Sequence, residues 1–138
     1  MEVLELLVSD EALVVSLWEQ AGLTRSWNDP SGDFQRAVAG ATSAVLGLKD
    51  DDELIGTVMV GSDGHRGWVY YLAVSEVCRQ QGNGKMLMAA AEAWLRQEGV
   101  VKVQLMVREE NAQVLGFYET AGYERNDVQV LSRWLRNP

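Results

Sequence analysis

Cysteine and histidine are almost absent from this chain. Cys78 is the only cysteine and His65 the only histidine. That excludes an intrachain disulfide and any Cys/His set with metal-ligand spacing, so no metal is expected. Positive charge is also scarce. Twelve Lys and Arg face twenty Asp and Glu, a formal net charge of −8. A binder that works by displacing counterions from nucleic acid needs the opposite balance, so no nucleic-acid partner is expected. An acidic surface suits a cationic substrate such as an amine. No apolar run approaches the roughly 18 residues of a membrane span, and no membrane partner is expected. Met1-Glu2-Val3-Leu4-Glu5 lacks the basic and then apolar segments of a signal peptide. The expectation is a cytoplasmic protein. Its 138 residues, 47% hydrophobic, predict a single domain over 1–138 with a proper core.

The most informative segment present is Arg79-Gln80-Gln81-Gly82-Asn83-Gly84. It follows Trp68-Val69-Tyr70-Tyr71-Leu72-Ala73-Val74, whose aromatic and β-branched content predicts a strand. It precedes Lys85 to Gln97, where Leu87, Ala90, Ala91, Trp94 and Leu95 recur at helical spacing. Two glycines let the backbone turn tightly and leave no Cβ in a ligand's way. The free N–H groups of the first helical turn then favour an anion, such as a phosphate. The pattern is neither the dinucleotide fingerprint, since position 87 is leucine, nor the P-loop, since no Ser or Thr follows Lys85.

The remaining elements follow from periodicity and capping. Residues 2–8 predict an edge strand. Leu13, Val14, Leu17, Trp18 and Ala21 predict a helix stopped by Gly22. Asp29 and Pro30 open a second helix with Phe34, Ala37, Val38 and Ala41 facing inward. Ser43 to Leu48 and Leu54 to Val60 predict two strands joined by the solvated acidic tip 49–53. Beyond the long helix, Val101 to Val107 alternates as a half-buried strand, and a helix over about 112–121 is capped by Asn111 and stopped by Gly122. Tyr123 to Leu135 offers a last strand. The fold expected is α/β (mixed α+β), a central twisted mixed β-sheet with helices on both faces. Strands 68–74 and 101–107 should be parallel neighbours, which puts the glycine turn at a sheet edge where ligands bind. Asn111 reads as a plain cap or as part of that crevice, and Tyr118 as a core residue or as a functional one.

Leu72-Ala73-Val74, Arg79 to Gly84, and Asn111 followed by Gly116-Phe117-Tyr118-Glu119-Thr120-Ala121-Gly122-Tyr123 together resemble the GNAT superfamily of acyl-CoA-dependent N-acetyltransferases. With Trp27-Asn28-Asp29-Pro30 and Asp63-Gly64-His65-Arg66-Gly67, the chain looks closest to the small bacterial YpeA-like acetyltransferases. The resemblance implies a GNAT-like fold, acetyl-CoA as acyl donor, and a small-molecule or peptide amine as acceptor. It implies that the pyrophosphate lies across the amides of Gln81, Gly82, Asn83, Gly84 and Lys85, with Gln80 also part of the cofactor site and Arg79 assisting from the rim. Leu72, Ala73 and Val74 would pair with the pantetheine arm, Asn111 would contact or order it, and Tyr118 would protonate the departing thiolate. An amide near Ala73 or Val74 would hydrogen-bond the developing oxyanion. The reference tyrosine pKa near 10 suits a proton donor at neutral pH. The family's small members also pair through their last strands, so a homodimer is the oligomer implied.

The chain departs from the protein-acetylating members at the general base. Gln104-Leu105-Met106-Val107 carries no carboxylate where those members place a glutamate. Glu109, Glu110, Asp63, His65 and a water relay stay open for that role, and Asp29 is placed to hold a cationic acceptor. The missing carboxylate equally suits a non-catalytic acyl-CoA-binding domain. An interaction domain using Trp68 and Trp134 as contact surface is a third reading.

Overall fold

The computed structural model describes residues 1–137, which fall into two compact units, Met1–Leu105 and a second beginning at Met106. The first unit holds a five-stranded sheet: β1 (Glu2–Glu5), β2 (Ser43–Asp50), β3 (Glu53–Ser62), β4 (Gly67–Val74) and β5 (Val103–Gln104), side by side in that order. Pairing is antiparallel from β1 to β4 and parallel between β4 and β5. This is the mixed sheet expected.

Three helices cover it. α1 (Glu11–Gln20) and α2 (Pro30–Ala39) pack on one face, where Leu6, Val14, Leu17, Trp18, Phe34, Ala37, Val45 and Ala73 form one buried cluster. α3 (Asn83–Gln97) covers the other face with Leu87, Met88, Ala91 and Leu95. The sheet admits α3 closely at Gly56, where a Cβ would sit 2.8 Å from Leu87 and 2.7 Å from the carbonyl of Ala73. With both faces covered, β2 and β3 are almost continuously buried rather than alternating.

Local chemistry sets the helix starts. The Asp29 carboxylate accepts from Gly32 N at 3.1 Å with Pro30 in the first turn, so α2 begins where expected. Asp10, just before α1, accepts from Leu7 N and from Lys49 Nζ, both at 2.9 Å, tying the approach to α1 onto β2. Lys49 is therefore part of β2 rather than of a solvated tip. Leu13 lies on the outer side of α1, 50% exposed.

In the second unit, α4 (Ala112–Thr120) starts at Asn111, whose side chain accepts from Val114 N at 3.4 Å. Past its end, Tyr123 N reaches back to Tyr118 O at 3.0 Å around Gly122. The predicted last strand is not formed: no residue of 123–137 pairs in a ladder. Val128, Val130, Leu131, Trp134 and Leu135 are all exposed. Alternation marks a segment able to join a sheet, but only a paired edge makes it a strand. The 101–107 strand is likewise reduced to Val103–Gln104, the two residues opposite Gly67 and Trp68.

Burial raises the Asp10 carboxyl, but the Leu7 N–H and Lys49 outweigh it and hold it below the ordinary carboxylate value. A lowered folded pKa gives stability that is present above the unfolded pKa near 3.9 and lost as pH falls through the folded value. Asp10→Asn should therefore cost about 1 kcal/mol at pH 7. Urea unfolding at pH 7 and at successively lower pH should show the gap between the two proteins closing as the wild-type carboxylate becomes protonated.

Candidate functional site

The turn after β4 is built to leave a helix N-terminus bare. Gln80 and Gly82 both take left-handed backbone, φ 60° and 83°, which swings the chain into α3. Nothing lies within 4 Å of a Cβ built on Gly82, so it is backbone conformation, not space, that calls for glycine there. The turn is pinned from inside by Asn83, buried, whose side-chain amide donates to Cys78 O at 2.9 Å. No side chain caps α3. Its first-turn N–H groups, from Asn83, Gly84 and Lys85, precede any intrahelical acceptor and point out of the helix end. With the helix dipole they favour a negative ligand. Arg79 folds back so that Nε donates to Val74 O at 3.0 Å, which joins the turn to the end of β4. Leu17, Gln20, Ala21, Val74, Ser75, Glu76 and Arg79 line a cleft of about 280 Å³ beside that junction.

The end of β4 is equally open. β5 meets β4 only at Gly67 and Trp68, so among the described residues nothing pairs with 69–74 on that side. Ser75 N donates to Ile55 O at 2.8 Å, which marks residue 75 as facing β3. By the alternation of an antiparallel ladder, the N–H and C=O of Leu72 and of Val74 turn to the side away from β3, where the Val74 carbonyl is already taken by Arg79 Nε, while those of Ala73 face β3. The sequence-predicted residues Leu72, Ala73, Val74 and Arg79 to Lys85 are thus brought together at one edge of the first unit.

A β-bulge sits at the centre of this edge, and periodicity alone does not reveal it. Thr57 pairs with Ala73 but Met59 with Tyr70, so Tyr71 and Leu72 together oppose Val58. Tyr71 takes φ 53°, a left-handed conformation that bulky residues avoid and that costs on the order of 1–3 kcal/mol. Its carbonyl accepts from Thr57 Oγ1 at 3.0 Å, and Thr57 Oγ1 accepts from Trp18 Nε1 at 2.8 Å. The Tyr71 ring stacks on Trp18, centroids 3.8 Å apart and planes 11° from parallel, and its hydroxyl donates to Asp33 Oδ2 at 2.7 Å. Two neutral hydrogen bonds at about 1 kcal/mol each and one to a carboxylate at about 2 outweigh the strain. Burial, with Asp33 next, pushes the Tyr71 phenol far above its ordinary pKa, so it is a fixed donor. The sequence does hold a signal for this: Thr57 is a hydroxyl inside the apolar run 54–60, fully buried, and buried polar groups need partners.

Asp33, Arg36, Ala37, Ser43, Met59, Tyr70 and Tyr71 line a second cleft of about 410 Å³ on the α2 face, reaching the bulge at Tyr71. Arg36 and Asp33 form an ion pair at 2.8 Å on its rim. The candidate bases fare differently. Asp63 accepts from the Arg66 and His65 amides and from Trp68 Nε1, which together hold its pKa below the ordinary value. A carboxylate so engaged is a turn-former and a poor proton acceptor. His65, Glu109 and Glu110 are exposed. Trp68 is half-buried with its indole N–H bound to Asp63, so it is not the free contact surface of the interaction-domain reading.

In the second unit, Tyr118 is the buried residue of α4, with edge-on rings from Phe117 at 5.1 Å and Tyr123 at 5.7 Å. Burial pushes its phenol up to about 12, above the value near 10 expected from reference tyrosine. Asn111 serves as the helix cap.

A model of the acetyltransferase (GNAT) family matches residues 11–123, and the chain belongs to that family. Solved structures show the same fold. The aminoglycoside N-acetyltransferase AAC(6')-Iy in complex with CoA is 16% identical with a TM-score of 0.84, over 98% of this chain and 95% of that one. Glucosamine-6-phosphate N-acetyltransferase from Arabidopsis thaliana is 20% identical with a TM-score of 0.72, over 98% of each chain. A tetramutant of the BH1408 protein from Bacillus halodurans is 25% identical with a TM-score of 0.74, over 98% of this chain and all of that one.

With Tyr118 titrating near 12, no limb of a pH–rate profile below about pH 11 should belong to it. Wild type and Tyr118→Phe should show the same apparent pKa values over pH 6–10, differing only in height. A limb within that range that disappears in Tyr118→Phe would show an ordinary phenol instead.

Proposed function

We propose, from this family membership, that the protein is an N-acetyltransferase that moves the acetyl group of acetyl-CoA to a primary amine by direct attack in a ternary complex. The YpeA-like acetyltransferases are its proposed nearer kin, on the strength of the 27–30 and 63–67 segments. The observation that carries the proposal is the bare N-terminus of α3 beside the unpaired end of β4. One edge thus offers free amides to a pyrophosphate and a free strand edge to an amide-bearing pantetheine chain.

In this reading Gln81 to Lys85 hold the phosphates, Arg79 flanks them, and Leu72 to Val74 pair with the arm. The amine lone pair attacks the thioester carbonyl, a C–N bond forms, and the carbonyl electrons move onto oxygen, where a strand amide stabilises them. Collapse restores the C=O bond and breaks C–S, and CoA leaves as thiolate. The family resemblance gives Tyr118 the place beside that sulfur. A phenol with a pKa near 12 is a weak acid for a thiolate whose parent thiol titrates near 8.5, so Tyr118 serves best as a hydrogen-bond donor that eases C–S cleavage. Asp63 is engaged elsewhere, which leaves Glu109, Glu110, His65 or a water relay to carry off the ammonium proton. The cleft below α2, with an apolar floor of Ala37, Met59 and the two tyrosine rings and an ionic rim, supports an acceptor with an apolar body.

One observation favours a second reading. β5 supplies no carboxylate from Gln104 or its neighbours, which suits a domain that binds acyl-CoA without turning it over.

Calorimetric titration with acetyl-CoA, on protein freed of copurified CoA, should show one site per chain. Gly84→Asp places a carboxylate in the first turn of α3 and should weaken that binding at least tenfold, about 1.4 kcal/mol. Unchanged affinity in a folded variant would rule out the assigned phosphate site. Tyr118→Phe should keep the affinity and lower turnover on an amine panel by roughly tenfold to a hundredfold, the loss of one well-placed donor. Equal turnover would remove Tyr118 from the mechanism, and binding with no acetylated product would favour the acyl-CoA binder.

A further inference from the structure

We propose that Thr57 and Asp33 are positioning residues for acyl transfer: by holding Tyr71 in its left-handed conformation they fix the amide of Leu72 against the thioester carbonyl of bound acetyl-CoA. This rests on the acetyl-CoA reading above and adds to it the groups that aim the strand.

Thr57 is fully buried, so it touches no ligand. Valine would fill the same volume in an otherwise apolar strand, so what the hydroxyl adds is its two hydrogen bonds. Both serve one neighbour. The first fixes the indole on which Tyr71 stacks, and the second grips the Tyr71 carbonyl. Asp33 holds the far end of the same side chain through the phenol. Side chains from α1, α2 and β3 therefore converge on one residue of β4, at the one position of that strand with positive φ.

The consequence lies in register. The bulge inserts one residue between Tyr70, opposite Met59, and Ala73, opposite Thr57. It thereby decides which amides face β3 and which face the open side. If Tyr71 relaxed to ordinary extended backbone, the extra residue would have to slip along the ladder. A slip of one residue exchanges the two sets of groups, and the Leu72 N–H would turn from the open side toward β3. Carbonyl polarisation needs a donor held in place before charge develops, and a wandering amide loses that benefit even while the cofactor stays bound through the α3 turn.

The test separates aim from binding. Protein labelled with ¹⁵N is titrated with CoA, which has no thioester carbonyl, and with acetyl-CoA, which has one. In wild type and Thr57→Ser, the Leu72 amide proton should move further downfield with acetyl-CoA than with CoA. That difference should be lost in Thr57→Val and reduced in Asp33→Asn, while calorimetric affinity for acetyl-CoA stays within about twofold of wild type. An acetyl-dependent shift that survives Thr57→Val unaltered overturns the positioning role, as does its absence from wild type with cofactor bound. Should Thr57→Val not fold, Asp33→Asn decides, and an undiminished shift there overturns the proposal. Failure of wild type to bind acetyl-CoA at all is a separate result, which removes the family-based function and leaves nothing to position.

Discussion

The contact on which the rest depends is the grip of Trp18 and Thr57 on Tyr71. A tyrosine with φ 53° is unfavourable by itself, and it persists only because its surroundings over-determine it. The indole supplies a stacking surface and a hydrogen bond, the threonine relays that bond to the carbonyl, and Asp33 closes the far end. Every donor in this chain has an acceptor, as burial in a low-dielectric interior requires. Removing the middle member would leave an indole N–H and a backbone carbonyl without partners. The helical layer and the bent strand therefore specify each other: α1 and α2 need the sheet to bury Trp18 and Phe34, and β4 needs the helices to stay bulged.

Much of this architecture is legible in the sequence, for identifiable reasons. Asp29-Pro30, Asn111 and the glycines at 22 and 122 punctuate the helices through local geometry, and local geometry survives any tertiary context. The turn at 79–84 is legible on the same ground, since left-handed backbone at a strand–helix junction is what Gly82 is suited to. What escapes is everything decided by partners. Val101 to Val107 and Tyr123 to Leu135 have the alternation of strands, yet a ladder requires an opposing edge. One segment finds it for two residues and the other for none among those described. The bulge at Tyr71 escapes for a related reason. No glycine or asparagine marks it, because its conformation is imposed by contacts from residues 14 to 53 positions away. The proposed site residues divide the same way: the backbone roles proposed for Leu72 to Val74 and Gly82 to Lys85 are written locally, whereas Trp18, Asp33 and Thr57 reach Tyr71 through long-range contacts.

Family membership fixes less than it first suggests. The solved relatives include one named for aminoglycosides and one for a phosphorylated amino sugar, on a shared fold and at low identity. Discrimination among acceptors has to come from side chains outside the proposed donor edge. In this chain the α2 cleft is the site proposed for that role, where an apolar floor is bordered by an ion pair that is already satisfied. Because Asp33 is committed to both Arg36 and Tyr71, its carboxylate offers an ammonium group less than a free aspartate would. As the proposed acceptor site, the cleft would select by shape and apolar contact before charge.

The same accounting shifts the weight of catalysis away from acid–base chemistry. Asp63 has its oxygens occupied, and burial has moved Tyr118 too far from neutrality to exchange protons readily. Neither group is tuned toward pH 7, which is where general catalysts gain most. A thioester needs less of that help than an amide does, because its thiolate leaves as a weak base with a parent pKa near 8.5. What the reaction then requires is two reactants held in one groove and a fixed dipole at the carbonyl. In the proposed function both come from backbone: the α3 turn would hold the donor, and the strand edge would aim the dipole. The most strained residue in that edge is the one the fold grips hardest, which is the arrangement expected when geometry, rather than proton transfer, supplies the rate.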